Sequence, residues 1–159
     1  MAAFRIVTTI AAPVAVCFDL ARDIDFHVRS LADTGERAVA GRTTGLIGLG
    51  ESVTWEARHL GVRQRLTSEV TAFDRPAYFR DAMTAGAFRA FAHDHHFEAT
   101  GDGTVMTDDI AFRSPFGPLG WLVDALFMTG YLRRLLEGRC QAIKREAESY
   151  AALTGVQRA

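Results

Sequence analysis

The sequence predicts an α+β fold in one domain, and three observations carry that expectation. An opening β-branched run gives way to short helical patterns. A long central stretch then alternates apolar and polar residues one by one. After Pro118 the apolar period switches to three and four and keeps that spacing toward the C-terminus. The first strand sets Phe4, Ile6 and Thr8 against Arg5, Val7 and Thr9. Pro13 suits the first turn of a helix over residues 13–21, whose apolar face is Val14, Cys17, Phe18 and Ala21. Asp23 or Asp25 can cap a second short helix carrying Phe26, Val28 and Leu31. A weak strand over residues 35–40 follows. Residues 51–60 then place Val53, Trp55, Ala57 and His59 on one face, and Gly61 turns the chain into 62–71, with Gln64, Leu66, Ser68 and Val70 on one face. Pro76 makes residues 73–77 a turn. Strands over 78–84, 88–98 and 104–113 are separated by Ala85-Gly86 and by Gly101-Asp-Gly103. Leu119, Leu122, Val123, Leu126, Phe127, Leu132, Leu135, Leu136, Cys140 and Ile143 predict one helix from 119 to at least 143, with Gly130 and Gly138 as soft points.

The chain has 159 residues, enough for one domain over 1–159 with an ordered core of about 4–150. A globule of this length buries roughly 70% of its extended-chain surface. Hydrophobic residues at 48% and charged residues at 23% exclude wholesale disorder. Eighteen basic residues against 19 acidic leave a net charge of −1, which argues against an electrostatic nucleic-acid binder. Cys17 and Cys140 build neither a disulfide framework nor a metal-spaced cluster. The start lacks a basic leader region, and no run reaches the ~18 apolar residues of a membrane span, so the expectation is a cytoplasmic protein without an integral membrane segment.

Several stretches carry a family resemblance. They are the opening strand followed by Ala-Ala-Pro13-Val-Ala-Val-Cys-Phe18, then Phe73-Asp-Arg-Pro76, then Gly103-Thr104 leading through Phe112 to Pro115-Phe-Gly-Pro-Leu-Gly120. With this order of elements the chain resembles the START-like or SRPBCC superfamily, the helix-grip fold of birch-pollen allergens, polyketide cyclases and coenzyme Q-binding proteins. Phe88-x-x-Phe-x-His93-x-His95-x-Phe97 resembles a bacterial branch of it. The resemblance implies a curved antiparallel sheet wrapped around the long C-terminal helix, with two short helices after the first strand. It also implies a cavity between sheet and helix. Such folds host transporters, cyclases, hydrolases and receptors, so fold alone does not name the activity.

Residues i, i+2 and i+4 of a strand share a face, so His93, His95 and Phe97 point together, with Phe91 in the same set. The aromatic pair makes this face the inward one, unless a bulge near Ala92 re-phases the strand. His-x-His can also place two nitrogens on one metal ion, but His59 or Asp108 would have to complete the set. No motif fixes that geometry, so no metal or other cofactor is assigned. On residues 104–112, Met106, Ile110 and Phe112 define the inward face and bring Asp108 with them, either to pair with His93 or His95 or to be hydrated at the mouth. Trp55 and His59 share a face, with Glu51 if the alternation holds, and Gln64 is their polar counterpart across the hairpin. The first half of the terminal helix is apolar around more than one stripe and would face a ligand entrance or a homodimer contact if it is not buried. Arg133, Arg134, Arg139, Lys144 and Arg145 read as a solvated basic second half.

The leading expectation is a binding module for a hydrophobic small molecule, of lipid, isoprenoid or polyketide-like class. Its walls would be Trp55, Leu66, Phe91, Phe97, Met106, Ile110, Phe112, Leu122 and Leu126. Gln64, His93, His95 and Asp108 would orient one polar group, and His59, beside the turn and expected to be exposed, is included in the ligand-binding set. The rival is a cyclase- or dehydratase-like enzyme with His93 or His95 as general base and Asp108 setting its tautomer. A third reading is an interaction module using the surface from Trp121 to Phe127. Nucleophile-elbow, Walker-type, dinucleotide and zinc-protease motifs are absent, and the glycine-rich stretch 45–50 reads as a flexible loop near the cavity mouth.

Overall fold

Alternation in the central chain becomes a seven-stranded, wholly antiparallel sheet in the computed structural model, which describes residues 1–115 and 117–155. The strands are β1 (Ala2–Ile10), β2 (Arg37–Gly41), β3 (Ser52–His59), β4 (Val62–Asp74), β5 (Tyr78–Ala85), β6 (Ala90–Thr100) and β7 (Gly103–Arg113), in spatial order β1-β7-β6-β5-β4-β3-β2. Between β1 and β2 lie α1 (Val14–Ala21), α2 (Ile24–Ser30) and a short 3₁₀ turn, Ala32–Thr34. Asp23 is the cap of α2: its carboxylate accepts from the Phe26 N–H at 3.0 Å. Phe116, inside the motif from Pro115 to Gly120, lies outside the described residues.

The terminal helix runs as α3 (Gly117–Val123), a π turn (Asp124–Met128) and α4 (Thr129–Thr154), without leaving helical dihedrals at the junctions. The expected single helix is therefore continuous, with one modification. The Thr129 N–H reaches the Asp124 carbonyl, five residues back, and the Thr129 hydroxyl donates to the same oxygen at 2.7 Å. Gly120 is buried where α3 meets the chain before it, and a side chain there would collide with the Pro115 carbonyl. Gly130 and Gly138 lie inside α4 and do not break it.

The sheet curls around this helix, and its two halves are filled differently. Register shifts between Ala38 and Ala40, between Thr67 and Ser68, and between Val70 and Ala72 bend β2 and β4. Under α1, and along β1, β7 and β6, the gap is packed solid. Phe18 of α1 stands edge-on to Phe73, Phe79 and Phe97 at 5.3–5.5 Å between ring centres, and Met106, Ile110 and Phe112 are fully buried beside Ile143 and Cys140 of α4. On the β3–β5 side the layers part. No helix among the described residues is long and apolar enough to cross a membrane.

Candidate functional site

A cavity of about 180 Å³ occupies the gap between β3–β6 on one side and α2 and α4 on the other. Of the residues expected there, Trp55, His59, Gln64, Leu66, Phe91, His93 and His95 line it. Phe97, Met106, Ile110 and Phe112 do point inward, but into the solid half of the core, because α1 and α4 press directly on β6, β7 and β1. Leu122 and Leu126 are corrected more sharply, since they sit before and within the π turn and face solvent, Leu126 at 78% exposure. Met128, Tyr131, Leu132, Leu135 and Leu136 supply the helix side of the wall instead. Glu51 is turned away from the cavity and held by Arg42 and the Gly48 N–H. The loop over 45–50 is tied down, because the Gly45 N–H donates to Asp25 at 2.8 Å, the Gly45 carbonyl accepts from Ile24, and Ile47 is buried against the cavity.

The polar end is built on β5, β6 and β7. β6 pairs with β7 in unbroken register from Ala90 to Thr100, so no bulge re-phases it, and His93 and His95 are both buried on the inner face. Their rings lie 3.7 Å apart, and His95 stacks on Phe79 at 4.1 Å. Behind them Asp108, fully buried at 0% exposure, accepts from His93 Nε2 through Oδ1 at 2.8 Å. The same oxygen lies 2.8 Å from His95 Nδ1, an ionic contact without hydrogen-bond alignment, and Asp108 Oδ2 takes the Cys140 thiol at 3.4 Å. His95 Nε2 donates to Asp81 Oδ2 at 3.1 Å. Asp108 is absent from the cavity lining while the imidazoles and Asp81 are part of it. His93 therefore gives Nε2 to Asp108, while His95 turns Nδ1 toward Asp108 and gives Nε2 to Asp81 on the cavity wall.

Burial and charge set the protonation of this cluster. Burial pushes His95 down, but two carboxylates, Asp108 and Asp81, hold its proton and the net shift is upward. His93 goes down, driven by burial and by the neighbouring His95 against the pull of Asp108. Burial alone would raise Asp108, and the two imidazoles overcome it, holding the carboxyl far below its usual range. Asp81 is lowered in the same way, burial opposing and His95 prevailing. Burial, aided by Asp108, pushes the Cys140 thiol up, so it stays protonated and serves as a donor. The cluster thus favours ionised carboxyls at Asp108 and Asp81, favours the proton on His95, and disfavours a second one on His93.

Other polar residues join the wall without having been expected, among them His27, Glu36, Tyr131 and Arg139. His27 stacks on Trp55 at 4.0 Å and binds Glu36 at 2.9 Å. Tyr131 meets His59 Nδ1 at 2.8 Å. Arg139, read from the sequence as solvated, is only 3% exposed and donates to the Ala21 carbonyl at the end of α1, with its Nε unpartnered among the described residues.

This arrangement of a bent antiparallel sheet gripping one long helix has relatives. A family model described as "Polyketide cyclase / dehydrase and lipid transport" matches residues 1–148. The chain belongs to that family. Solved structures agree on the helix-grip fold expected from the START-like resemblance. TTHA0849 from Thermus thermophilus is 21% identical with a TM-score of 0.70, over 89% of this chain and 97% of that one. A START superfamily protein from Mycobacterium smegmatis is 12% identical with a TM-score of 0.70, over 93% and 98%. Ara h 8.0201 is 18% identical with a TM-score of 0.68, over 93% and 98%. At these identities the likeness is one of fold. No curated protein matches the chain.

Proposed function

We propose that this family member binds a small hydrophobic molecule bearing one polar group, seated in the cavity between β3–β6 and the α2–α4 side. The observation that carries the reading is the pairing of apolar walls with a buried ionisable cluster at one end. Trp55, Leu66 and Phe91 would hold the apolar body, and Asp81, His93 and His95 would meet the polar group. At about 180 Å³ the space falls below the ~300–1,000 Å³ of drug-sized pockets, which favours a compact aromatic or short-chain molecule over a long lipid. The family description, with its reference to lipid transport, supports a hydrophobic cargo. The test is native mass spectrometry of purified protein before and after organic extraction. A small-molecule adduct lost on extraction is expected, and a single unliganded mass that takes up no hydrophobic probe would overturn the reading.

One observation favours a second reading, a cyclase- or dehydratase-like enzyme. Burial and the neighbouring His95 push the His93 pKa down, and Asp108 takes its Nε2–H, an arrangement that suits a general base. Conversion of a bound substrate in wild type and its loss in His93→Gln, with uptake retained, would select this reading over simple binding.

A further inference from the structure

We infer that the polar end of the cavity is a site for a first-row divalent transition metal, with Asp81, His93 and His95 as its protein donors. One ligand atom from each residue lies within 4.8 Å of the other two. A tetrahedral Zn²⁺ with bonds of about 2.0–2.2 Å holds its donors about 3.3 Å apart. The His95 Nε2 to Asp81 Oδ2 edge is already at 3.1 Å, so closing the set asks only for side-chain adjustment. The three residues sit on paired strands: Asp81 of β5 lies directly across from His93 of β6, and His95 is two residues on, on the same face. Ligands on such rigid elements keep their spacing.

The surroundings are those a metal site requires. Metal-bound imidazoles are oriented by a carboxylate on their other nitrogen, and Asp108 Oδ1 stands 2.8 Å from His93 Nε2 and 2.8 Å from His95 Nδ1. The Cys140 thiol fixes that carboxylate from behind and is therefore not itself a donor. Charge points the same way. Two carboxylates, Asp81 and Asp108, flank the imidazoles, and among the described residues neither is ion-paired to a lysine or arginine. With neutral imidazoles that leaves two negative charges in a low-dielectric setting, which a dication cancels and a single proton only halves. Two imidazoles and one carboxylate suit zinc, iron, nickel or copper better than calcium or magnesium, which prefer oxygen. The fourth position would open into the apolar cavity, where an oxygen of a bound molecule or of water would complete the set. The inference stands on the cluster itself and does not need the hydrophobic-ligand reading.

The experiment strips the full chain with chelator, then titrates Zn²⁺ by calorimetry and Co²⁺ by visible absorption. One equivalent per chain is expected, with the intense d–d bands of a four-coordinate cobalt site and a rise in Tm. Asp81→Asn and His93→Gln should abolish stoichiometric uptake. Asp108→Asn should weaken it about 10–100-fold. His96→Gln, on the outer face of β6 and half-exposed, should leave it unchanged. Where a variant does not fold, the wild type decides alone, because Zn²⁺ must shift the ring nitrogens of His93 and His95 in ¹⁵N NMR and leave those of His96 in place. Absence of stoichiometric binding by the wild type overturns the proposal, as does uptake that survives Asp81→Asn and His93→Gln or shifts confined to His96.

Discussion

Replacing Asp108 by Asn in chelator-treated protein separates the charge of the buried cluster from its shape. The wild-type carboxylate accepts from His93 and from Cys140 and faces the His95 cation at 2.8 Å, all at full burial. The amide keeps one oxygen for the imidazoles but turns an N–H₂ group toward the Cys140 thiol, and it leaves the His95 charge with Asp81 alone. Breaking one side of a buried ion pair costs about 3 kcal/mol or more. At about 2–4 °C per kcal/mol for a chain of this size, Tm should fall by about 6–12 °C. The pH dependence has a definite sign. His95 has its folded pKa raised, so its contribution is complete below the unfolded value of about 6.5 and lost as pH climbs through the folded one. The lowered His93 contributes above about 6.5 and loses its contribution as pH falls through its folded value. Removing the Asp108 charge lowers both imidazoles, so the destabilisation should be greatest below about pH 6.5 and should shrink as pH climbs through the folded pKa of His95. Urea unfolding across that pH range, with NMR titration of the imidazoles, measures each part. Superimposed titration curves with a stability change under about 0.5 kcal/mol would refute the argument.

Further outcomes follow from the division between solid and hollow halves. Leu66→Trp, projecting into the cavity, should lower uptake of a hydrophobic probe while costing under about 1.5 kcal/mol, read by probe fluorescence and urea melts. Ile110→Trp enters a fully packed region and should cost about 3 kcal/mol. Equal costs for the two would mean the halves are not packed differently. Arg139→Met removes the only side chain among the described residues that caps the α1 carbonyls and should cost about 2 kcal/mol in thermal unfolding. Leu126→Ser, at an exposed position, should move stability by less than about 0.5 kcal/mol and leave uptake unchanged.

Strand periodicity makes the direction of side chains legible but not what they meet. His93, His95 and Phe97 follow from alternation, as do Met106, Asp108, Ile110 and Phe112. Whether an inward residue touches a cavity or a neighbour depends on where α1 and α4 rest, which no local pattern records. Asp81 is within reach of the same logic, because it shares its face with Phe79 two residues earlier. Arg139 is too, standing three residues after Leu136 on the stripe that continues through Ile143. An arginine inside a basic run reads as solvated, and that hides it. Leu122 and Leu126 carry helical spacing, but the extra residue of the π turn rotates the stripe by about 100°, which local apolar spacing does not reveal.

The partition of the sheet also has a dynamic consequence. β6 borders both halves and is hydrogen-bonded along its length to β7, while β3 and β4 meet the cavity on their inner face. Amide hydrogen exchange should therefore divide the molecule, slowest in β1, β6 and β7, where opening requires disruption of the packed core, and faster in β2–β4. A molecule entering the cavity would slow exchange in the second group and on the cavity-lining part of β6, and leave β1 and β7 least changed. Occupancy would then be recorded as local rigidity at one end of a sheet whose other end already holds the fold together, so the hollow end is free to vary in sequence at little cost to folding.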